Sequence, residues 1–272
     1  MSKTVLEDIP LLTISKIIEQ DFFGNPIVYR TNDQWGEVIV IDKKDCRVLA
    51  FDPIYEQSCI DLKNPHIPFH EYTRIMLLVL AFVNPRHVTI LGLGGGCLVH
   101  ALHYLLPHCN LLSIELREKV YEAAVNFFQI PIKHNINITI SDAKLAITRC
   151  EDSSTQIIFA DMYKSYGMNP FQIQKQFIQQ CHRVLDDTGW LVVNYHQMPA
   201  LNSSFIQCLQ GYFAELFVCL ASSGNYILFA RKCIIEPINN HQTIIFDLEK
   251  KLNIKLMHLF KRITRLRTRI SD

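Results

Sequence analysis

The chain has 272 residues, 49% of them apolar and 19% charged, with a formal net charge of +1. That is enough length to bury a substantial core, and too little charge to draw in nucleic acid or an anionic membrane surface. Its nine cysteines are scattered without a CxxC pair, so neither a disulfide framework nor a zinc site is expected, and a reducing, cytoplasmic setting is. The opening MSKTVLEDIP lacks the apolar centre of a signal peptide, and the longest apolar run, Ile75 to Val83, is far too short to span a bilayer.

Up to about residue 65 the sequence reads as short β-type runs, LLTISKII, PIVYR, GEVIVID and CRVLAFD, broken by FFGNP, TNDQWG and DKKD. Closely spaced strands with turn chemistry between them predict a small antiparallel β subdomain over 1–65. From 66 to 235 strands and helices alternate. HVTILGL, NLLSIEL, NINITIS and TQIIFAD read as strands, and CLVHALHYLL, REKVYEAAVNFFQI and DAKLAITRC as helices. A further helix is expected from Asn169 as N-cap with Pro170 in its first turn, its apolar side being Ile173, Phe177, Cys181 and Val184. Gly189 then turns the chain into WLVVNYH. Strands joined by helical crossovers make a parallel sheet. The fold class is therefore α/β, a Rossmann-like sheet of methyltransferase type preceded by a small antiparallel β subdomain.

Residues 236–272 are expected to be a helical extension. Leu252, Leu256, Leu259, Ile263, Leu266 and Ile270 follow heptad spacing. Such a seam either docks on its own domain, the reading we favour, or pairs two subunits in a homodimer. The pairs His66/His70 and His100/His103 have ligand-like spacing but no acidic or cysteine partner, so they are read as helix-surface residues and no metal is expected.

Four glycines stand within five positions of ILGLGGGCLV, between a strand and a helix. Glycine there lets the turn bend sharply and a ligand approach the backbone, so Gly92, Gly94 and Gly96 are read as the floor of a nucleoside site. Glu115 ends the next strand, near the ~20-residue separation at which a carboxylate reaches ribose hydroxyls. Asp142 follows the third strand and Asp161 ends the fourth, which brings three acids to one sheet edge. A dinucleotide fingerprint would put glycine or alanine at position 97. Cys97 stands there instead, which favours an S-adenosylmethionine-type pocket over an NAD-dependent one.

With these features in place, the chain resembles the spermidine synthase-like proteins of the polyamine aminopropyltransferase superfamily over roughly residues 30 to 230. The resemblance runs through FDPIYEQSCID, FHEY, ILGLGGG, SIEL, SDA, IIFAD and WLVVN. It implies a class I methyltransferase-like domain that moves an aminopropyl group from decarboxylated S-adenosylmethionine to a polyamine, releasing methylthioadenosine. It further implies that Gly92, Gly94 and Gly96 face the adenosyl ligand, with Glu115 on the ribose and Asp142 and Ala143 at the adenine. Gln57 would lie near the donor, His70 and Glu71 would belong to the substrate-binding segment, and Asp161 would be the first, catalytic acid of an Asp-x-x-Asp motif.

The sequence departs from that pattern at two positions. Gly95 stands where the family loop carries an aspartate, and Lys164 where the motif carries its second acid. An attacking amine must be neutral, yet its pKa lies near ~10. A carboxylate attracts such an amine and takes its proton, whereas a lysine repels it. The expectation is thus a transferase-class protein that binds decarboxylated S-adenosylmethionine, methylthioadenosine or S-adenosylmethionine, with ordinary polyamine transfer doubtful. A small amine is the expected second partner. A methyltransferase with another acceptor and a non-catalytic member of the fold are the alternatives.

Overall fold

The computed structural model describes residues 19–52, 56–164, 167–234 and 241–266; the run LLTISKII and Ile270 lie outside them. The first unit is a four-stranded antiparallel sheet in sequential order: β1 (Ile27–Asp33), β2 (Gly36–Asp42), β3 (Arg47–Ala50) and β4 (Glu56–Ile60). Asp33 stops β1 by accepting the amide of Trp35 at 2.8 Å, an Asx turn that sends the chain back as β2. The alternation of β2 buries both faces. Val38 and Val40 join Leu49, Phe51 and Ile60, while Ile39 and Ile41 join Val48, Ala50 and Cys59.

Next come α1 (Glu71–Leu77), a buried 3₁₀ turn (Leu78–Ala81), β5 (His87–Leu91), α2 (Cys97–Leu105), β6 (Asn110–Glu115), α3 (Glu118–Phe127), β7 (Ile136–Ile140), α4 (Ala143–Arg149) and β8 (Thr155–Ala160). A small hairpin, β9 (Tyr163–Lys164) and β10 (Gly167–Met168), leads to α5 (Lys175–Val184), β11 (Leu185–Tyr195), α6 (Ser204–Tyr212), β12 (Glu215–Leu220) and β13 (Tyr226–Arg231). The chain closes with α7 (His241–Leu252), α8 (Met257–Phe260) and β14 (Thr264–Arg265). The large sheet has the order β14-β12-β13-β11-β8-β5-β6-β7. The run from β11 to β7 is parallel, and β13 is antiparallel to both of its neighbours.

One face of this sheet packs against α2, α7, α8 and the Ile75–Ala81 run, the other against α4, α5 and α6. The N-terminal sheet lies on α3, where Val120, Ala123 and Phe128 meet Val38 and Val40. A buried ion pair fixes the two units: Arg117 reaches Asp33 at 2.9 Å, donates to the carbonyls of Gly36 and Glu37, and lies 4.5 Å over the Phe51 ring.

Several local expectations change. Asn169 does cap a turn, accepting from the amide of Phe171, but it is the 3₁₀ turn Pro170–Ile173. α5 starts only at Lys175, so Ile173 is 43% exposed while Phe177, Cys181 and Val184 are buried. Gly189 is not a turn between elements; it lies inside β11, within an irregularity between Leu185 and Trp190 where a Cβ would stand 2.8 Å from the Asp186 carbonyl oxygen. His100 is a core residue whose Nε2 lies 2.8 Å from the Phe128 carbonyl, not a surface one.

The C-terminal seam is not one helix. Asn253 adopts φ 52 and ends α7, as asparagine tolerates at this position. The Glu249 carboxylate then accepts the amides of Leu256 (2.6 Å) and Met257 (2.9 Å) and starts α8. Leu252, Leu256 and Leu259 are buried against the chain's own Phe82, Trp190 and Phe217 cluster, and β14 extends the sheet beside β12. Among the described residues no helix is long and apolar enough to cross a membrane.

Candidate functional site

The chain runs β5 to β6 to β7 in one direction across the sheet, then returns to place β8 on the other side of β5. Strand order reverses there, and in open α/β sheets the crevice beyond the strand ends at such a point is where ligands bind. Gly92 leaves β5 with φ 99, donating to the Ile114 carbonyl at 2.8 Å. A Cβ at that position would stand 2.3 Å from the backbone oxygen of Asp161. Gly94 (φ 55) and Gly95 pass over Ser58 of β4, whose Oγ accepts the Gly95 amide at 2.9 Å. Gly96 (φ 83) opens α2, and a Cβ there would fall 1.9 Å from Cδ1 of Ile130. The glycines are demanded by how closely this loop is pressed between β4, β8 and Ile130.

Glu115 ends β6 beside this loop, 7% exposed. Its Oε2 accepts the Leu93 amide and its Oε1 the Arg117 amide, each at 2.9 Å. Burial pushes its carboxyl up, opposed by the amides of Arg117, Leu93 and Gly94 and by the Arg117 charge. A carboxylate has about four lone-pair sites, so these bonds fix Glu115 and leave acceptor capacity for hydroxyl donors. Asp142 is the exposed N-cap of α4, accepting the Lys144 amide at 2.8 Å, and Ala143 behind it is buried.

Asp161 ends β8 on the far side of β5 from Glu115. Its Oδ1 accepts Nδ2 of Asn194 at 2.8 Å, and the Tyr72 hydroxyl bonds to it as well. Burial pushes its pKa up to about 6, against the pull of those two donors. Asn194, 1% exposed, receives Nδ2 of Asn225 on its Oδ1 at 3.0 Å. The Tyr163 hydroxyl accepts from Asn225 and donates to the Asn194 carbonyl, both at 3.3 Å. An acid near pH 6 exists in both protonation states around neutrality, which is what a group that exchanges a proton needs.

The remaining residues singled out from sequence lie around this crevice in different ways. Gln57 is half-buried on β4 next to Ser58. His70 is the N-cap residue of α1, its ring 5.5 Å from that of Tyr72, and burial holds its pKa below the usual imidazole range. Glu71 turns to the β12–β13 connection, where it accepts the Ser222 amide at 2.9 Å and pairs with Arg262 at 3.1 Å. Lys164 pairs through its backbone with Gly167 in the small hairpin. Among the described residues no cluster of three or more metal-type ligands occurs.

Sequence reasoning missed Tyr72, Asn225 and Ser58. Tyr72 sits one place after the FHE segment and had a signal in that adjacency. Asn225 had none, because it lies in a turn 64 residues beyond Asp161 and only the strand order brings it near.

No family model matches the chain. A polyamine aminopropyltransferase of Vibrio vulnificus is 23% identical over 228 residues, covering 80% of this chain and 75% of that protein. Among solved structures, a probable spermidine synthase from Corynebacterium glutamicum superposes with a TM-score of 0.69 at 18% identity, over 83% of this chain and 87% of its own. A spermidine synthase in complex with the transition state analogue AdoDATO gives 0.66 at 19% identity, covering 86% and 83%. Human methyltransferase-like protein 13 in complex with SAH gives 0.57 at 20% identity, covering 74% and 96%. In sequence the chain is similar to polyamine aminopropyltransferases, and its fold, a four-stranded antiparallel sheet followed by a methyltransferase-type Rossmann sheet, is that of the spermidine synthases it superposes on.

Proposed function

We propose that the chain binds an S-adenosyl-type nucleoside over the glycine loop and transfers a group from it to an amine acceptor that is neither putrescine nor spermidine. The observation that carries this is the pairing of two buried acids across one strand: Glu115 held at the loop by main-chain amides, Asp161 opposite it and titrating near 6. In this reading Gly92, Gly94 and Gly96 form the floor, Glu115 takes the ribose hydroxyls, and Asp142 and Ala143 border the adenine. Gln57 lies towards the donor, His70 contributes to the acceptor side, and Glu71 acts by holding the Ser222 turn in place. Asp161 draws the cationic amine in and accepts its proton before attack. One buried carboxylate offsets one positive charge. A di- or polyamine brings at least two, and Lys164 and Gly95 stand where the resembled family supplies further acids. The likenesses to a spermidine synthase complexed with AdoDATO and to a methyltransferase complexed with SAH support an adenosyl ligand.

Calorimetry with methylthioadenosine, S-adenosylmethionine and its decarboxylated form tests the donor. One of the three should bind the wild type, and Glu115→Ala should weaken it by about 1.5–3 kcal/mol, the scale of a hydrogen bond to a charged group. Binding by none of them overturns the proposal. A product assay with decarboxylated S-adenosylmethionine and either polyamine should show no robust turnover. Preference for S-adenosylmethionine over its decarboxylated form would favour methyl transfer, the reading to which the methyltransferase likeness points.

A further inference from the structure

The groups behind Asp161 form a chain with a direction. Ser223 Oγ donates to Oδ1 of Asn225 at 2.7 Å. Nδ2 of Asn225 spends its two hydrogens on Oδ1 of Asn194 and on the Tyr163 hydroxyl. Nδ2 of Asn194 then donates to Oδ1 of Asp161. An amide is a donor at one end and an acceptor at the other, so the sense of one link dictates the sense of the next. In this sense the chain ends in a donor and matches an ionised Asp161. Reversed, it ends in the Asn194 carbonyl oxygen and matches Asp161 only when that acid carries a proton.

We propose that Asn225 is a positioning residue for Asp161, acting through Asn194: by fixing the direction of the amide chain it selects the protonation state of the acid that the site holds. This rests on the reading of Asp161 as the acid of the acceptor side. The Ala221–Tyr226 turn that carries Asn225 is itself pinned. Ala221 donates to the Asn225 carbonyl at 2.7 Å, and Ser222 is held by Glu71, which Arg262 backs. Among the described residues, the other titratable groups that act on Asp161 are Tyr72 of α1, Cys97 of α2 and Tyr163 of β9. Burial raises all three, Cys97 to about 12, so each is neutral where Asp161 titrates. The orientation of Asn194 is therefore an adjustable influence on Asp161 beside the Tyr72 hydroxyl, and Asn225 controls it.

Two substitutions separate direction from shape. Asn225→Asp keeps the size and removes both donors, so Asn194 must turn its amide towards position 225 and present oxygen to Asp161. Asn225→Leu removes the donors without adding charge. The carboxyl titration of Asp161 is read by NMR on the full chain with carbon-13-labelled aspartate, assigned by its loss in Asp161→Asn. The midpoint should rise by about half a pH unit or more in Asn225→Leu, and further in Asn225→Asp. Midpoints equal to wild type in the folded variants overturn the proposal, and if Asn225→Asp does not fold, the leucine variant decides alone. No ligand is present in the titration. Failure here therefore leaves nucleoside binding standing, and failure of calorimetry leaves the titration standing.

Discussion

Glu115 and Asp161 end the two strands that flank β5 and stand on either side of the glycine loop, yet they are held by opposite means. Glu115 takes its hydrogen bonds from main-chain amides of Leu93, Gly94 and Arg117. Asp161 takes its own from side chains of Asn194 and Tyr72. Burial raises both acids. The hydrogen bonds of the first environment come from the backbone and cannot be removed by replacing a neighbouring side chain. The second can be rewritten one side chain at a time, so the Asp161 side of the loop is freer to vary than the Glu115 side.

The severest way to break this contrast is Gly92→Ala, because Gly92 lies between the two acids. Its Cβ would press on the Asp161 backbone at a φ that alanine rarely adopts, and a loss of about 3 kcal/mol or outright misfolding is expected in urea denaturation. Full stability in that variant would show that the loop is looser than the packing implies. Next is Glu115→Ala, which leaves the buried amides of Leu93 and Arg117 unpaired. It should cost about 2–3 kcal/mol of folding stability even without ligand, while Glu115→Gln should lose less. Equal melting of alanine variant and wild type would mean that the main chain does not depend on this carboxylate.

Asp161→Asn should act in the opposite sense. The folded carboxyl titrates near 6, above its ordinary 3.8, so ionisation opposes folding. That penalty is absent below pH 3.8, grows as pH rises, and is complete above about 6. The full displacement would correspond to about 3 kcal/mol. An asparagine still has to satisfy two donors with one acceptor, so a gain of about 1–2 kcal/mol at pH 7.5 and none near pH 3.5 is expected from denaturation at the two pH values. A gain that did not change with pH would remove burial of charge as its cause. The smallest effect sharpens the picture from outside. Arg262→Ala loses a half-exposed pair with Glu71 and should change stability by about 0.5 kcal/mol or less, while backbone amide exchange at Ser222 becomes faster.

What could be read in the sequence follows this same division. Strand-end acids and the glycines between β5 and α2 obey local rules, so Gly92, Glu115 and Asp161 stand out as a set in the sequence. The partners of Asp161 come from α1 and β11, with the β12–β13 turn behind them, and nothing in a linear string ties Tyr72 to Asn194 or Asn225. The glycines also had a reason that no local rule contains, since Ser58 and Ile130 reach the loop only after the chain has folded. The C-terminal seam differs for another reason: its leucine spacing predicts one helix, but Asn253, a residue suited to ending a helix, interrupts it.

The place of α7 and α8 also bears on how the protein is made. They cover Leu78, Val79, Phe82 and Trp190, and Phe82 waits for Phe260, the last large ring of the described chain. A nascent chain that has completed its N-terminal sheet and most of its large sheet still exposes this apolar surface until α7 and α8 leave the ribosome. Contacts so distant in sequence form slowly, and partly built species with bare apolar faces aggregate. Truncated or prematurely terminated products should therefore be chaperone clients and protease substrates, even though every residue of the proposed site has already been synthesised.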